Sequence, residues 1–140
     1  MLTRTGSKRR SGQALAEFVF VLPVLLILLF GIIDVGRLVY INNALAEAAR
    51  EGARWGSVAG RSNVPDAIQN HTTAMIAAVP GPTVVVECRV ATPSAPVVTT
   101  CHPGNILSVT VSSDVTMFTP VIGSIVGPRE ISATSEMVVN

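Results

Sequence analysis

Between Arg10 and Asp34 the chain carries a single charge, Glu17. Around it runs Gly-Gln-Ala-Leu-Ala-Glu-Phe-Val-Phe-Val-Leu-Pro-Val-Leu-Leu-Ile-Leu-Leu-Phe-Gly-Ile-Ile, from Gly12 to Ile33. Residues 14–33, taken as a helix, measure about 30 Å, one thickness of bilayer hydrocarbon. This stretch therefore predicts a membrane span. A carboxylate at bilayer depth costs roughly 2.5–3.5 kcal/mol on insertion scales. A chain that needed only an anchor would have an apolar residue at position 17. The expectation is that Glu17 has a partner. The competing reading places it at the membrane surface, where a charge near a helix end snorkels to water.

All four charges before Glu17 are positive: Arg4, Lys8, Arg9 and Arg10. Basic flanks stay in the cytoplasm, so the expected orientation is N-terminus in and C-terminal region out. A cleaved secretory signal is the alternative. Its apolar core would be shorter and would end at an Ala-x-Ala site, whereas the first such site here is Ala44-Leu45-Ala46, inside a helical stretch. With 140 residues, an anchor plus one small domain is the natural division. Beyond the anchor the chain is long enough for a modest core.

Residues 1–11 are polar and basic and read as a disordered leader, with a helix starting near Gln13. Residues 34–56 hold no proline and keep helical periodicity. Leu38, Ile41, Leu45, Ala48, Ala49 and Gly52 share one face, while Tyr40, Asn43, Glu47, Arg50, Glu51 and Arg54 share the other. Glu47–Arg50 and Glu51–Arg54 are i,i+3 pairs of opposite sign. Pro23 removes one backbone donor and is a candidate kink. The apolar face is built largely of Ala44, Ala48, Ala49, Gly52, Ala53 and Gly56. Small residues allow close backbone approach between helices, though alanine also simply favours helix. Two glycines on that face argue for close packing, because each costs about 1 kcal/mol in a helix interior.

Gly60-Arg61-Ser62-Asn63 breaks the pattern. Asn63 is the expected cap of a short helix with Pro65 in its first turn and Ile68, Thr72, Met75 and Ile76 on its apolar side. Pro80-Gly81-Pro82 ends it. Four strand signals follow: Thr83–Val90, Val97–Cys101, Ile106–Val111 and Ile131–Val139, the last two with clear alternation. Thr92–Pro96 reads as a loop, 102–105 as a turn, and Met117–Gly127 as a connection or short helix. Cys88 and Cys101 fall in the segment expected outside the cytoplasm, and an even pair there predicts a disulfide. Two unpaired buried thiols are the alternative. A metal site on Cys88, Cys101 and His102 lacks a fourth ligand and a short Cys-x-x-Cys spacing.

No catalytic constellation is legible. His71 and His102 stand in no motif with a nucleophile or metal spacing, and no glycine-rich phosphate loop follows a strand. The expectation is a non-enzyme without cofactor or metal. Outside the leader only six basic residues remain, scattered, so nucleic-acid binding has no electrostatic support. Asn70-His71-Thr72 matches a glycosylation acceptor too short to weigh.

Ser11-Gly12 precedes Gln13-Ala14-Leu15-Ala16-Glu17-Phe18, with the glutamate fifth and the aromatic sixth after the glycine. This resembles the processing site of type IV pilin precursors. Together with Gly31-Ile32-Ile33-Asp34-Val35-Gly36-Arg37 and Ala48-Ala49-Arg50-Glu51-Gly52-Ala53-Arg54, residues 12–56 resemble the TadE-like family, minor pilins or pseudopilins of the Flp/Tad tight-adherence pilus system. The family often has a basic residue where Ser11 stands. The C-terminal region carries no family motif.

The resemblance implies cleavage between Gly12 and Gln13 by a prepilin peptidase. It also implies that Glu17 of one subunit neutralises the new α-amino group on Gln13 of a neighbour, with Phe18 beside it. Pairing removes the cost of a lone buried charge. A mature chain 13–140 would hold six basic and nine acidic residues, a formal charge of −3. The expected fold is α+β and pilin-like: a long N-terminal transmembrane and amphipathic helix packed on a small antiparallel β-sheet. The expected division is a leader over 1–12, the helix over 13–56 and an extracytoplasmic domain over 57–140. Implied partners are other pilin subunits, the pilus assembly platform, the prepilin peptidase and the membrane. The runner-up function is an uncleaved, signal-anchored envelope protein whose outer domain binds a ligand or partner. A membrane-tethered enzyme ranks last for want of a catalytic set.

Overall fold

The structure, a computed structural model, describes residues 8–58, 64–90, 97–98, 100–119, 123–124 and 127–140, with side chains from Gly12 onward. The first element, α1, is one helix over Lys8–Gly56. It holds 49 residues, about 73 Å at the helical rise. It starts five residues earlier than the expected Gln13, so the helix runs through Gly12–Gln13 without a break. Three consecutive basic residues and a serine are compatible with helix, and nothing between Lys8 and Gln13 stops it. Pro23 lies inside α1 and does not end it.

The second helix, α2, spans Pro65–Met75 with proline in its first turn, where the missing N–H is no loss. Asn63, the expected cap, lies outside the described residues. The cap position is Val64, which makes no side-chain cap bond. Ile68, Thr72 and Ile76 are buried as expected, but Met75 is exposed because the helix ends there and the chain turns. Four strands follow: β1 over Pro82–Arg89, β2 over Val97–Val98, β3 over Ile106–Val115 and β4 over Arg129–Val138. They form one antiparallel sheet of order β2-β1-β3-β4. The strand expected over Val97–Cys101 is thus shorter, and β3 and β4 are longer than their alternating cores suggested. The loop expected over Thr92–Pro96 lies outside the described residues, and the connection 117–127 is described only in part.

Sheet and helices make two layers. Ile41, Leu45, Ala48, Ala49 and Ala53 of α1 are buried against Leu107, Val109, Val111 and Val115 of β3, with Ile131, Ala133 and Met137 of β4 half-buried beside them. Ile68 and Ile76 close the side nearest β1. Among the described residues no helix or strand covers the opposite sheet face, and its polar residues pair across strands, as Thr110 and Thr134 do at 2.9 Å.

Close approach, not helix propensity alone, explains the small residues. A Cβ at Gly52 would fall onto Thr72 Oγ1 and within 3.3 Å of Val109 Cγ1; one at Gly56 would lie 2.6 Å from Leu107 Cδ2 and 2.8 Å from Ile68 Cδ1. Buried hydroxyls are satisfied locally. Thr72 Oγ1 donates to Ile68 O at 2.7 Å, and Ser113 Oγ donates to Pro80 O at 2.6 Å.

Cys88 and Cys101 are disulfide-bonded, with Cα atoms 5.5 Å apart. Both are buried in the core. They tie β1 to the segment leading into β3. A loop of this length contributes about 3 kcal/mol in the chain-entropy account.

Candidate functional site

Two halves of α1 present different surfaces. Over 14–33 nearly every large side chain is uncovered: Leu15, Phe20 and Val24 are 69%, 79% and 66% exposed. Among the described residues this is one helix long and apolar enough to cross a membrane. An apolar surface of this length is not tolerated in water, so its solvent is lipid or other apolar helices.

Glu17 lies within that surface and is exposed, with Phe18 also exposed one position on. The nearest polar group is on its own helix: Gln13 Nε2 donates to Glu17 Oε1 at 3.4 Å. That contact is long and lies on the helix surface, so it leaves most of the carboxylate's bonding capacity open. Gly12 is exposed, and a Cβ there would meet nothing within 4 Å. Packing within this chain therefore does not require a glycine at this position. Gly12, Gln13, Glu17 and Phe18 sit together on the first turns of α1, while Cys88 and Cys101 are far away in the sheet domain.

Immediately past the span the chain uses charge differently. Asp34 is 3% exposed. Its Oδ1 accepts the Phe118 N–H at 3.0 Å, and its Oδ2 accepts the Thr119 N–H at 3.0 Å and the Thr119 hydroxyl at 2.6 Å. Three donors aimed at one carboxylate hold its pKa below the ordinary aspartate value. The Thr119 hydroxyl acts most strongly and the Phe118 N–H next, and together they exceed the opposing effect of burial. One turn on, Arg37 donates to Thr116 O at 3.1 Å, and its guanidinium lies 4.6 Å from the centre of the Phe118 ring. Asp34 and Arg37 thus clasp the segment 116–119 that follows β3.

The sequence does not assign this clasp: Asp34 and Arg37 stand there as members of a motif, without roles. The usable signal was Asp34 itself, a poor helix former placed mid-helix at the edge of an apolar span. Its partners lie 84 and 85 residues away, beyond any local pattern. Farther along α1, Arg54 bonds Glu51 at 2.6 and 2.7 Å and holds that carboxyl below its usual range. This realises one of the two expected i,i+3 pairs. Trp55 stacks on His71, which lies within α2, with ring centres 4.7 Å apart. Among the described residues no group of histidines, cysteines and carboxylates is arranged to hold a metal. An open apolar groove of about 440 Å³ lies beside the clasp, lined by Leu38, Val39, Asn42, Met117, Arg129 and Ile131.

Residues 12–54 match the family described as TadE-like protein. The matched segment begins at Gly12, takes in Glu17, Asp34 and Arg37, and ends at Arg54, past Ala48, Ala49, Gly52 and Ala53 of the small-residue face. It is the segment in which the resemblance was read. No protein of curated function and no solved structure matches the chain.

Proposed function

We propose that this chain, with its TadE-like segment, is a minor pilin or pseudopilin-like structural subunit for assembly of a Flp/Tad-type adhesion pilus. In this reading the leader 1–12 lies in the cytoplasm, residues 14–33 cross the inner membrane once, and the domain formed with 57–140 stands outside. A prepilin peptidase cuts between Gly12 and Gln13. Glu17 then meets the α-amino group of Gln13 on a neighbouring subunit, and the pair enters the pilus or its assembly platform. The role is structural, without a catalytic set or cofactor.

The observation that carries this reading is the match over 12–54 coinciding with an uncovered apolar helix that keeps a single carboxylate on its surface. Among the described residues Glu17 has one hydrogen bond, the long Gln13 contact. A neighbouring ammonium in low dielectric would be a far stronger partner, and removing one member of such a pair leaves an uncompensated charge. A plain anchor needs neither feature. One observation favours the uncleaved envelope protein: α1 is already helical through Gly12–Gln13, and a peptidase must open that turn. Gly12 eases the opening, since glycine is about 1 kcal/mol less favourable than alanine in a helix.

Mass spectrometry of the native N-terminus, combined with Glu17→Val, tests the proposal. The expected mature protein begins at Gln13. The valine variant should be made, inserted and processed, because valine favours hydrocarbon where a carboxylate does not. It should fail to co-purify with the other pilus components and should lose surface adhesion. A chain that keeps its leader in cells with an active peptidase, or a valine variant that assembles normally, would overturn the subunit mechanism.

A further inference from the structure

The clasp at Asp34 fixes a side chain that the core does not bury. Phe118 is 69% exposed although its backbone N–H is held at 3.0 Å by a buried carboxylate. A phenylalanine presented to water on a rigid turn forgoes the burial that would make it worth having. Its height explains it. Asp34 follows directly on the apolar span, so the atom that holds Phe118 is within about 2 Å of the end of residues 14–33 along the helix axis. Arg37, whose guanidinium faces the ring, is about 6 Å above that end. The headgroup layer on each side of the hydrocarbon is about 5–7 Å thick. Phe118 and Arg37 therefore lie at the level of that layer.

The rest of the surface agrees. β3 ends at Val115, opposite Arg129 at the start of β4, so this end of the sheet faces the span. The far end carries Ile106, Val138 and the close of α1 at Ser57, whose carbonyl accepts the Asn140 N–H at 3.1 Å. The exposed apolar surface of the span continues past Ile33 through Val35 and Val39, and Tyr40 is exposed beside them. Arginines snorkel to a membrane–water interface, and phenylalanines on interfacial elements seat at the headgroup–acyl boundary.

We infer that the segment 116–119 is a membrane-contacting wedge, with the Phe118 ring seated among lipid headgroups and Arg37 directed to lipid phosphate on the domain side of the bilayer. The inference rests on residues 14–33 being a membrane anchor. The Asp34 clasp sets the depth of the wedge, so the domain stands on the bilayer at a fixed height and does not swing on α1.

The test uses the full chain in phosphatidylcholine vesicles and tryptophan emission as a depth gauge. Native Trp55 stands about 33 Å above the span and supplies the unquenched background. Phe118→Trp adds an emitter at the wedge, and Leu26→Trp adds one at mid-span. Lipids brominated near the carbonyl end of their chains should quench Phe118→Trp strongly. Lipids brominated near the methyl end should quench it less, and Leu26→Trp should show the reverse order. Replacing Arg37 by glutamine should reduce the quenching at position 118 and leave that at position 26 unchanged. Quenching at 26 without quenching at 118 would overturn the wedge and spare the anchor. A blue-shifted Phe118→Trp emission indifferent to bromine would mean that protein covers the ring, which also overturns it. Absence of quenching at 26 would remove the anchor and the wedge together.

Discussion

One helix passes through two environments, and its residues change accordingly. From Leu15 to Ile33, α1 is built of large aliphatic and aromatic side chains, and they stay uncovered. From Ile41 to Gly56 its inward face is buried against β3, β4 and α2, with Ile41 and Leu45 at its start and only small residues, Ala48, Ala49, Gly52, Ala53 and Gly56, from Ala48 on. The more hydrophobic half is the one with no core. Hydrophobicity therefore marks the solvent of each half, and side-chain size marks the contact. Where α1 comes closest to β3 and α2, at Gly52 and Gly56, a larger side chain would need a partner able to move aside, which lipid is and a packed core is not.

Truncation in each half sharpens this contrast most. Leu45 is fully buried between helix and sheet. Leu45→Ala should destabilise the domain by about 2–5 kcal/mol, through lost transfer energy and an unfilled cavity. Leu26→Ala removes the same atoms from a side chain that touches none of the domain, and it should leave domain unfolding unchanged. Thermal unfolding of both variants in one detergent reads the difference. A domain midpoint lowered equally by both would mean that the two halves of α1 are not energetically separate.

Enlargement is the reverse test and a smaller effect. Gly56→Val places two methyl groups where a single Cβ already meets Leu107 and Ile68. Overpacking of this kind costs about 1–3 kcal/mol. Gly36 lies between the two halves, and a Cβ there meets nothing within 4 Å. Gly36→Val should therefore cost the domain little. Denaturant midpoints of the two variants check this, and equal losses would show that the close approach at Gly56 is not a constraint.

What was legible in the sequence divides along the same line. The apolar span, the small-residue face and the alternation in 106–111 and 131–139 report local periodicity against a layer, and they located α1, β3 and β4. The even cysteine pair located the disulfide. Three things depended on information outside any window. The start of α1 at Lys8 reflects the absence of a stop signal, which no positive pattern marks. The exposure of Met75 follows from where α2 ends. The role of Asp34 depends on two N–H groups and a hydroxyl at Phe118 and Thr119, brought to it only once β3 has crossed the sheet and packed on α1.

The smallest expected effect is in acid, and it bears on the seam between the two halves. Asp34 has a depressed pKa in the folded chain, first through the Thr119 hydroxyl and then through the Phe118 N–H. Its unfolded value is the ordinary one, about 3.9. The folded state therefore holds the Asp34 proton less tightly than the unfolded state does. The clasp's contribution is complete above the unfolded pKa and is lost as pH falls through the lower folded one. Glu51 is depressed in the same direction by Arg54, so wild-type acid unfolding alone does not single out the clasp. The Glu51–Arg54 pair lies on the helix surface, with Arg54 70% and Glu51 26% exposed, and i,i+3 pairs at a surface contribute little. Asp34→Asn keeps the shape of the side chain and removes its charge. At neutral pH this variant should unfold at a lower temperature than wild type, and the gap should narrow below about pH 4. Glu51→Gln should show a much smaller gap at every pH. A gap for Asp34→Asn that persists unchanged into strong acid would mean that the carboxylate's charge does not hold residues 116–119, and that shape alone joins the domain to its helix at the end of the span.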